Sequence, residues 1–467
     1  MEIKIGKGGL SVEWITAATG GERLTVGAWC GDNGALRGLS TDTRTLRPGE
    51  IYLALAGERF DGHSFITDAL KKGAAAVICN SLPEGAAQGV YIVVGDTGRA
   101  LLDMARTYKR ELPRLSHTVA VTGSVGKTTT KQFIYSVLSQ KYTTEKTEGN
   151  YNNLVGLPLT ILSASPDCEA LVLEMGMSAI GEISRMSLCA EPDTAVITNI
   201  GTAHIGMLGS RERIRDAKLE ILDGLRPGGR LICTDEPLLA GIPAIRLGDA
   251  EEGITVGDIS GNGDGTEFSL RLLGSPLGRM RIPVIGEHNV RDAAMAACVG
   301  LLHGLGEGEI RSGLAGFKNV GARQNIEKAG GITAIYDCYN ASPESMEVSL
   351  GVLRDTAKEN NGRSVAVLGD MLELGEYSEQ LHRAVGRALD GKGVSVLYTY
   401  GDESRLIAEE AEPFVPYIRS FSRSERDKLI SSLRELLREG DTVLFKASNG
   451  MGLGEVAQDA LCTDPKE

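Results

Sequence analysis

The densest chemistry in this sequence is VAVTGSVGKTTTKQF, residues 119–133, where a lysine and two threonines follow directly on a glycine. The common phosphate loop runs glycine, four residues, then Gly-Lys-Ser/Thr. Gly126, Lys127 and Thr128 fit that ending. Val121 stands where the first glycine belongs, and the glycine has moved to Gly123, which leaves a short Gly-x-x-Gly-Lys-Thr-Thr. A strand before it (TVAVT) and a helical segment from about Lys127 to Gln140 supply the strand–turn–helix setting such a loop needs. Backbone N–H groups of Gly123, Ser124, Val125 and Gly126, with the positive end of the helix dipole, would then hold phosphate oxygens. Lys127 would reach the β- and γ-phosphates, and Thr128 would offer its hydroxyl to magnesium, with Thr129 next in line. The bland alternative is a tight turn with an incidental lysine. Gly, Lys and two Thr coinciding at a helix start favour a nucleoside-triphosphate site.

Other residues are candidates by position. Glu174 ends the apolar run ALVLE, at the carboxyl end of a strand where open α/β sheets bind ligands, and could ligate magnesium or merely cap the next loop. His204 closes AVITNIGTAH and could reach the same crevice, although a strand-end histidine is more often structural. Lys218 sits in RERIRDAKLEIL between Asp216 and Glu220, which by itself reads as a solvated helix face. Asp337 and Asn340 follow one strand of the last third, and Lys446 follows the final one, all suited to a ligand across a domain cleft.

The elements that must position these residues fall into three blocks of a 467-residue chain, in line with a length prior of about three domains. In block 1–113, the runs IYLAL, AAAVIC and VYIVV alternate with a helical FITDALKKGA. Block 114–320 carries the loop, the strands ALVLEMG and TAVITNI, a hairpin-like stretch over 254–285 and the helix NVRDAAMAACVGLLHGLG. Block 321–467 alternates TAIYD, SVAVLGD, VSVLYTYG and DTVLFKAS with helices. Strands alternating with helices predict mostly parallel sheets covered on both faces, an α/β fold. The net charge of −13, with no basic block, argues against a nucleic-acid surface. Eight scattered cysteines without a Cys-x-x-Cys predict reduced thiols rather than a disulfide frame or zinc site. No apolar run reaches membrane-spanning length and no signal peptide is visible, so a cytoplasmic protein is expected.

Behind the short loop, five further motifs follow in order: EGNYNNLVGLPLT (148–160), ITNIGTAHIGMLGS (197–210), GEHNVRDAAMAA (286–297), DCYNASPESM (337–346) and LGDMLELGEYSEQLH (368–382). Together with STDTRTLRPGEIYLALAGERFDGHSF (40–65), this set resembles the Mur ligases and their folylpolyglutamate synthetase relatives over nearly the whole chain. The resemblance implies three domains: a UDP-muramoyl substrate domain (1–113), a central phosphate-loop ATP domain (114–320) and a Rossmann-like acceptor domain (321–467). It implies an ATP- and Mg2+-dependent amide ligase in peptidoglycan precursor synthesis, working through an acyl phosphate. GDMLELG, 369–375, points to the branch that adds D-alanyl-D-alanine to UDP-N-acetylmuramoyl-tripeptide rather than to the diaminopimelate-adding sister. A monomer is expected.

Residue by residue, the resemblance implies a catalytic set of Lys127, Lys218 and His204, with Thr128 and Glu174 at one magnesium. His204 and an N-carboxylated Lys218 belong to a second metal. Asn289 and Arg323 would contact the nucleotide, and Asp337 and Asn340 belong to a nucleotide and acceptor motif. Ser40, Thr41, Arg44, Asn152 and Asn153 match uridine and muramoyl-peptide contacts. The chain departs from the family pattern at Tyr336, Ala322 and Asn449, the last in place of an arginine, and GMSAIGEI (176–183) lacks a usual Asn-His. A phosphate-loop switch ATPase, or a ligase with another amine acceptor, stands as the competing reading.

Overall fold

The structure, a computed structural model, describes residues 10–28, 36–57, 60–262, 265–319 and 324–461. The short phosphate loop hangs from the middle of a nine-stranded sheet. Its strand, His117–Thr122, pairs in parallel with Ala170–Glu174 on one side and Thr194–Ile197 on the other. A strand flanked on both sides and covered by helices on both faces reads as a continuous apolar run rather than an alternating one. Val119, Ala120 and Val121 are accordingly all fully buried. The register sets Glu174 opposite Val121 and Ile197 opposite Thr122. Three carboxyl ends therefore reach the same level, and whatever follows each strand arrives at the loop.

Past Thr194–Ile197 the same sheet continues through Arg230–Thr234 and Ile245–Leu247 into an antiparallel meander, Ile254–Asn262, Gly265–Leu272 and Ser275–Ile282. The hairpin expected over 254–285 is thus a three-stranded extension of the central sheet. The run TAVITNI is strand only as far as Ile197, and 198–204 leaves the sheet. The helix Glu287–Leu302 packs back on the loop helix, Lys127–Leu138, with Phe133 stacked on Phe317 at 3.8 Å between ring centroids.

The first block forms a five-stranded sheet that includes the three expected apolar runs and adds Glu22–Val26, antiparallel to Gly89–Val93. Its helix Thr97–Glu111 docks on the central unit, where the Tyr108 hydroxyl donates to the Ala164 carbonyl at 2.7 Å and Arg106 pairs with Glu191 at 2.8 Å. The last block forms a six-stranded sheet in which Ile332–Asp337, Thr442–Lys446, Ser364–Gly369, Val396–Tyr400 and Tyr417–Phe421 run parallel in that spatial order. Asn325–Ala329 adds an antiparallel edge. One cluster of buried apolar side chains runs from Ile51 and Leu101 through Leu171 and Ile197 to Leu350 and Leu368, tying the three units into one α/β body. The six described cysteines are buried free thiols, and no described helix is long and apolar enough to cross a membrane.

Candidate active site

The loop is held in shape by the neighbouring strand's outgoing segment. Asn199 Oδ1 accepts from the Ser124 and Val125 N–H groups at 3.1 and 3.0 Å, and its amide donates to the Val125 carbonyl. Gly123 lies at φ 151°, and a β-carbon there would fall 1.8 Å from Thr198 Oγ1, so no other residue fits. Gly126 at φ 86° turns the chain into the helix. In this structure the Ser124 and Val125 N–H groups are taken by Asn199. The helix's first turn adds N–H donors that lack intrahelical partners by construction. Lys127 Nζ folds back onto the Gly123 and Ser124 carbonyls at 2.7 and 3.3 Å, at the mouth of the loop.

Glu174 stands under that helix, 1% exposed. Its Oε2 accepts from the Thr128 hydroxyl at 2.8 Å and pairs with Lys131 Nζ at 3.1 Å, while its Oε1 accepts from Asn152 Nδ2 at 2.8 Å. The Glu174 carboxylate thus reaches the loop helix through Thr128 and Lys131. Lys131, one helical turn beyond Thr128, is a functional neighbour that sequence reasoning missed. The i, i+3 spacing was the signal available for it.

Lys218 is not on a solvated face. It is 1% exposed, and burial, then the nearby Lys127 charge, hold its amine well below the usual lysine range. Neither flanking acid compensates it: Asp216 pairs outward with Arg215, and Glu220 accepts from the Gly181 and Ser184 N–H groups. His204 is depressed by burial and by Lys127, while Glu373 opposes that shift; Lys218 adds to the depression. Its Nδ1 lies 2.9 Å from Glu373 Oε2, a residue of the third block. His204 thus sits not at a strand end but on the segment 198–209 that leaves the sheet. Glu344, also of the third block, accepts from the Thr202 N–H at 2.8 Å and its hydroxyl at 3.1 Å.

Between the loop and the third block lies a cavity of about 460 Å³. Its wall includes Ser124, Val125, Gly126, Lys127 and Thr129 from the loop, Asn289 from the helix behind, and Asp337 and Asn340 from the third sheet. The pairing of Asp337 with Lys446 in the sheet register brings those side chains to 2.7 Å, and Ser349 donates to the same carboxylate. Asp337 and Lys446 thus form a buried pair rather than two free ligands. Asn289 is tied to the Ile285 carbonyl at 2.7 Å. Asp292, in the same wall, has its carboxyl oxygen 3.0 Å from where a Gly126 β-carbon would stand, and burial pushes it up to about 8. An acid kept largely protonated there repels no phosphate. Arg323 lies outside the described residues.

The substrate-side residues are more scattered. Ser40 is buried and shares hydrogen bonds with Asp42, while Arg44 pairs with Asp42 at 2.7 Å; Thr41 lies half-buried between them. Asn153 accepts from the Val155 and Gly156 N–H groups just before the helix Gly156–Leu162. The structure brings Asn152 to the loop through Glu174 but joins neither Asn153 nor 40–44 to it by a hydrogen bond.

The donor set fits magnesium. Thr128 and Glu174 offer hard oxygens at the loop, and among the described residues no cluster of three His, Cys, Asp or Glu side chains could cage a metal. Magnesium commonly takes one or two protein oxygens and completes its shell with phosphates and water.

Residues 121–300 match the Mur ligase middle domain, residues 323–449 the Mur ligase, glutamate ligase domain, and residues 35–109 the Mur ligase family, catalytic domain. The UDP-N-acetylmuramoyl-tripeptide–D-alanyl-D-alanine ligase of Bacillus subtilis (strain 168) is 40% identical over 91% of this chain and 93% of its own length. The ligase of the same name from Escherichia coli (strain K12) is 32% identical over 91% and 95%. Among solved structures, MurF from Acinetobacter baumannii superposes with a TM-score of 0.87 at 29% identity, covering 97% of this chain and 99% of that one. The MurF ligase of Thermotoga maritima in complex with ADP gives 0.79 at 29% identity, over 90% and 96%.

Proposed function

This chain belongs to the Mur ligase family, and from that premise we propose that it joins D-alanyl-D-alanine to the terminal carboxylate of UDP-N-acetylmuramoyl-tripeptide, with ATP converted to ADP and phosphate. The observation that carries this reading is the cavity shared by the phosphate loop and the carboxyl edge of the third sheet, which brings nucleotide and acceptor chemistry to one place. The substrate carboxylate attacks the γ-phosphorus as the bond to the β-phosphate oxygen breaks. The amine of the dipeptide then attacks the acyl carbon, phosphate leaves, and one proton is released.

Two carboxylate-type anions and a triphosphate must meet, and like charges at ~4 Å repel by several kcal/mol at an effective dielectric of about 20. Lys127, at the mouth of the loop, offsets that repulsion. Thr128 and Glu174 would hold magnesium, which supplies further charge neutralisation when bound. His204 and a carboxylated Lys218 would hold a second ion. Asn289, Arg323, Asp337 and Asn340 serve the nucleotide side, and Ser40, Thr41, Arg44, Asn152 and Asn153 the muramoyl substrate. We assign 1–113 to that substrate, 114–320 to ATP and 321–467 to the acceptor, in a cytoplasmic monomer. The test is phosphate release. It requires both muramoyl peptide and D-alanyl-D-alanine under this reading, whereas a switch ATPase turns over without the amine. Diaminopimelate on the dipeptide precursor outpacing D-alanyl-D-alanine would move the chain to the sister activity, and sedimentation reads the oligomeric state.

A further inference from the structure

The acceptor carries a carboxylate at the end opposite its reacting amine, and that charge needs a partner. The carboxyl edge of the third sheet offers few. Lys446 is buried against Asp337 at 2.7 Å. On the first helical turns at that edge, Arg405 pairs with Glu409 at 3.3 Å, Arg426 with Asp459 at 2.5 Å and Lys428 with Glu425 at 2.9 Å. Arg423, exposed on the turn after the strand Tyr417–Phe421, is different. Its Nη2 donates to the Gly450 carbonyl at 2.8 Å, and among the described residues no carboxylate pairs with it. One bond to a carbonyl fixes the guanidinium in place and leaves the rest of its fork, the part that matches a carboxylate, available.

Its neighbours lead back to the reacting groups. A β-carbon on Gly450 would lie 3.0 Å from Leu372 Cδ1, and Leu372 is a large apolar side chain 39% exposed. The next residue, Glu373, touches His204, and His204 feels Lys127. A cation, an apolar side chain and the phosphoryl-transfer groups thus follow one another along the edge. A dipeptide spans about 7 Å at ~3.5 Å per residue, with methyl groups between its charged ends. We propose that Arg423 holds the carboxylate of the dipeptide acceptor, with Leu372 against its methyl groups, and so sets a requirement for a free C-terminal acid. This rests on D-alanyl-D-alanine being the amine.

The test compares D-alanyl-D-alanine with D-alanyl-D-alaninamide, which keeps the amine and methyl groups but lacks the charge. The wild type should favour the acid in kcat/KM by about 10- to 100-fold, the range for a hydrogen-bonded ion pair. In Arg423→Ala the KM for the acid should rise by that factor, the KM for the amide should stay put, and the preference should vanish. The KM for ATP should not move, and Arg423→Gln should behave like the alanine variant. Arg423 is exposed, so the fold should survive, as circular dichroism checks. An undiminished preference for the acid in either variant overturns the assignment. A wild type that uses neither compound overturns instead the acceptor identity on which it rests.

Discussion

Lys218→Ala tests the least expected environment in the molecule. The side chain is 1% exposed, no acid pairs with it among the described residues, and both burial and Lys127 disfavour its charged form. A buried ammonium without a partner costs several kcal/mol, and burial with Lys127 pulls the equilibrium toward the neutral amine. That is the form that adds carbon dioxide: R–NH2 and CO2 give R–NH–COO− and a proton. The carbamate would reverse the sign of the local interaction. Unit charges ~4 Å apart at an effective dielectric of about 20 interact by ~4 kcal/mol, repulsive for ammonium beside Lys127 and attractive for carbamate. Truncation to alanine removes three methylenes and the amine from the interior, a loss of about 2–4 kcal/mol by analogy with other buried truncations. Without the anion the rate should fall by roughly 10²- to 10³-fold, as when one preorganised electrostatic group is removed. The vacated space equals two or three waters of ~30 Å³ each, enough for acetate, which should restore part of the rate. Lys218→Arg should stay inactive because guanidinium neither loses its charge nor takes up carbon dioxide. Carbon-13 NMR with labelled bicarbonate, alongside phosphate release, measures both halves. The reasoning fails if wild type shows no carbamate resonance under saturating bicarbonate, or if Lys218→Ala turns over at near the wild-type rate.

Lys127→Ala should keep its fold, since Nζ lies at the mouth of the loop on the Gly123 and Ser124 carbonyls rather than in the core, while phosphate release drops by about 10²-fold or more; normal turnover would remove the loop from the mechanism. Glu174→Gln should raise the magnesium requirement and also lower the denaturation midpoint, because it breaks the buried ion pair with Lys131, a loss of about 3–5 kcal/mol. Adding Lys131→Met should recover the stability but not the rate, and a single variant as stable as wild type would contradict the pairing. His303, pushed down to about 4 by burial, meets His117 Nδ1 to Nδ1 at 2.9 Å. The unfolded chain binds a proton near pH 6.5 that the folded chain refuses until about 4. Stability should therefore be full above pH 6.5 and fall below it, by up to about 3 kcal/mol at pH 4. His303→Gln should flatten that slope in denaturation series, and an unchanged slope would exonerate the pair.

Strand positions were legible where both faces of a sheet are covered, because burial on both faces writes an unbroken apolar run: IYL at 51–53, AVIC at 76–79 and TVLFK at 442–446 are buried throughout. The strands Glu22–Val26, Asn325–Ala329 and Tyr417–Phe421 escaped notice since they lie at sheet edges and keep most side chains exposed. The loop, Thr128 and Glu174 were legible from type and position, as strand ends in a parallel sheet share one edge. Lys218 was not: its helix shows alternating charges, and only tertiary packing turns that one residue inward. Lys131, Asn199 and Asp292 were missed for a related reason. Each acts by supporting another group, and support leaves no spacing signature in the chain.

The segment 198–209 links the phosphate loop to the third block. Leaving the strand beside the loop, it must pass between the loop and whatever covers the sheet's carboxyl edge. Thr198 and Asn199 grip the loop at its start, His204 sits midway, and Thr202, Gly206 and Gly209 meet Glu344, Glu373 and Tyr377 of the third block. His204 and Glu373 both hold left-handed backbone, at φ 67° and 66°. Such conformations cost about 1 kcal/mol or more apiece in non-glycine residues, and here two meet at one hydrogen bond. The segment that shapes the loop is thus also the one the third block holds, through Thr202, His204 and Gly206.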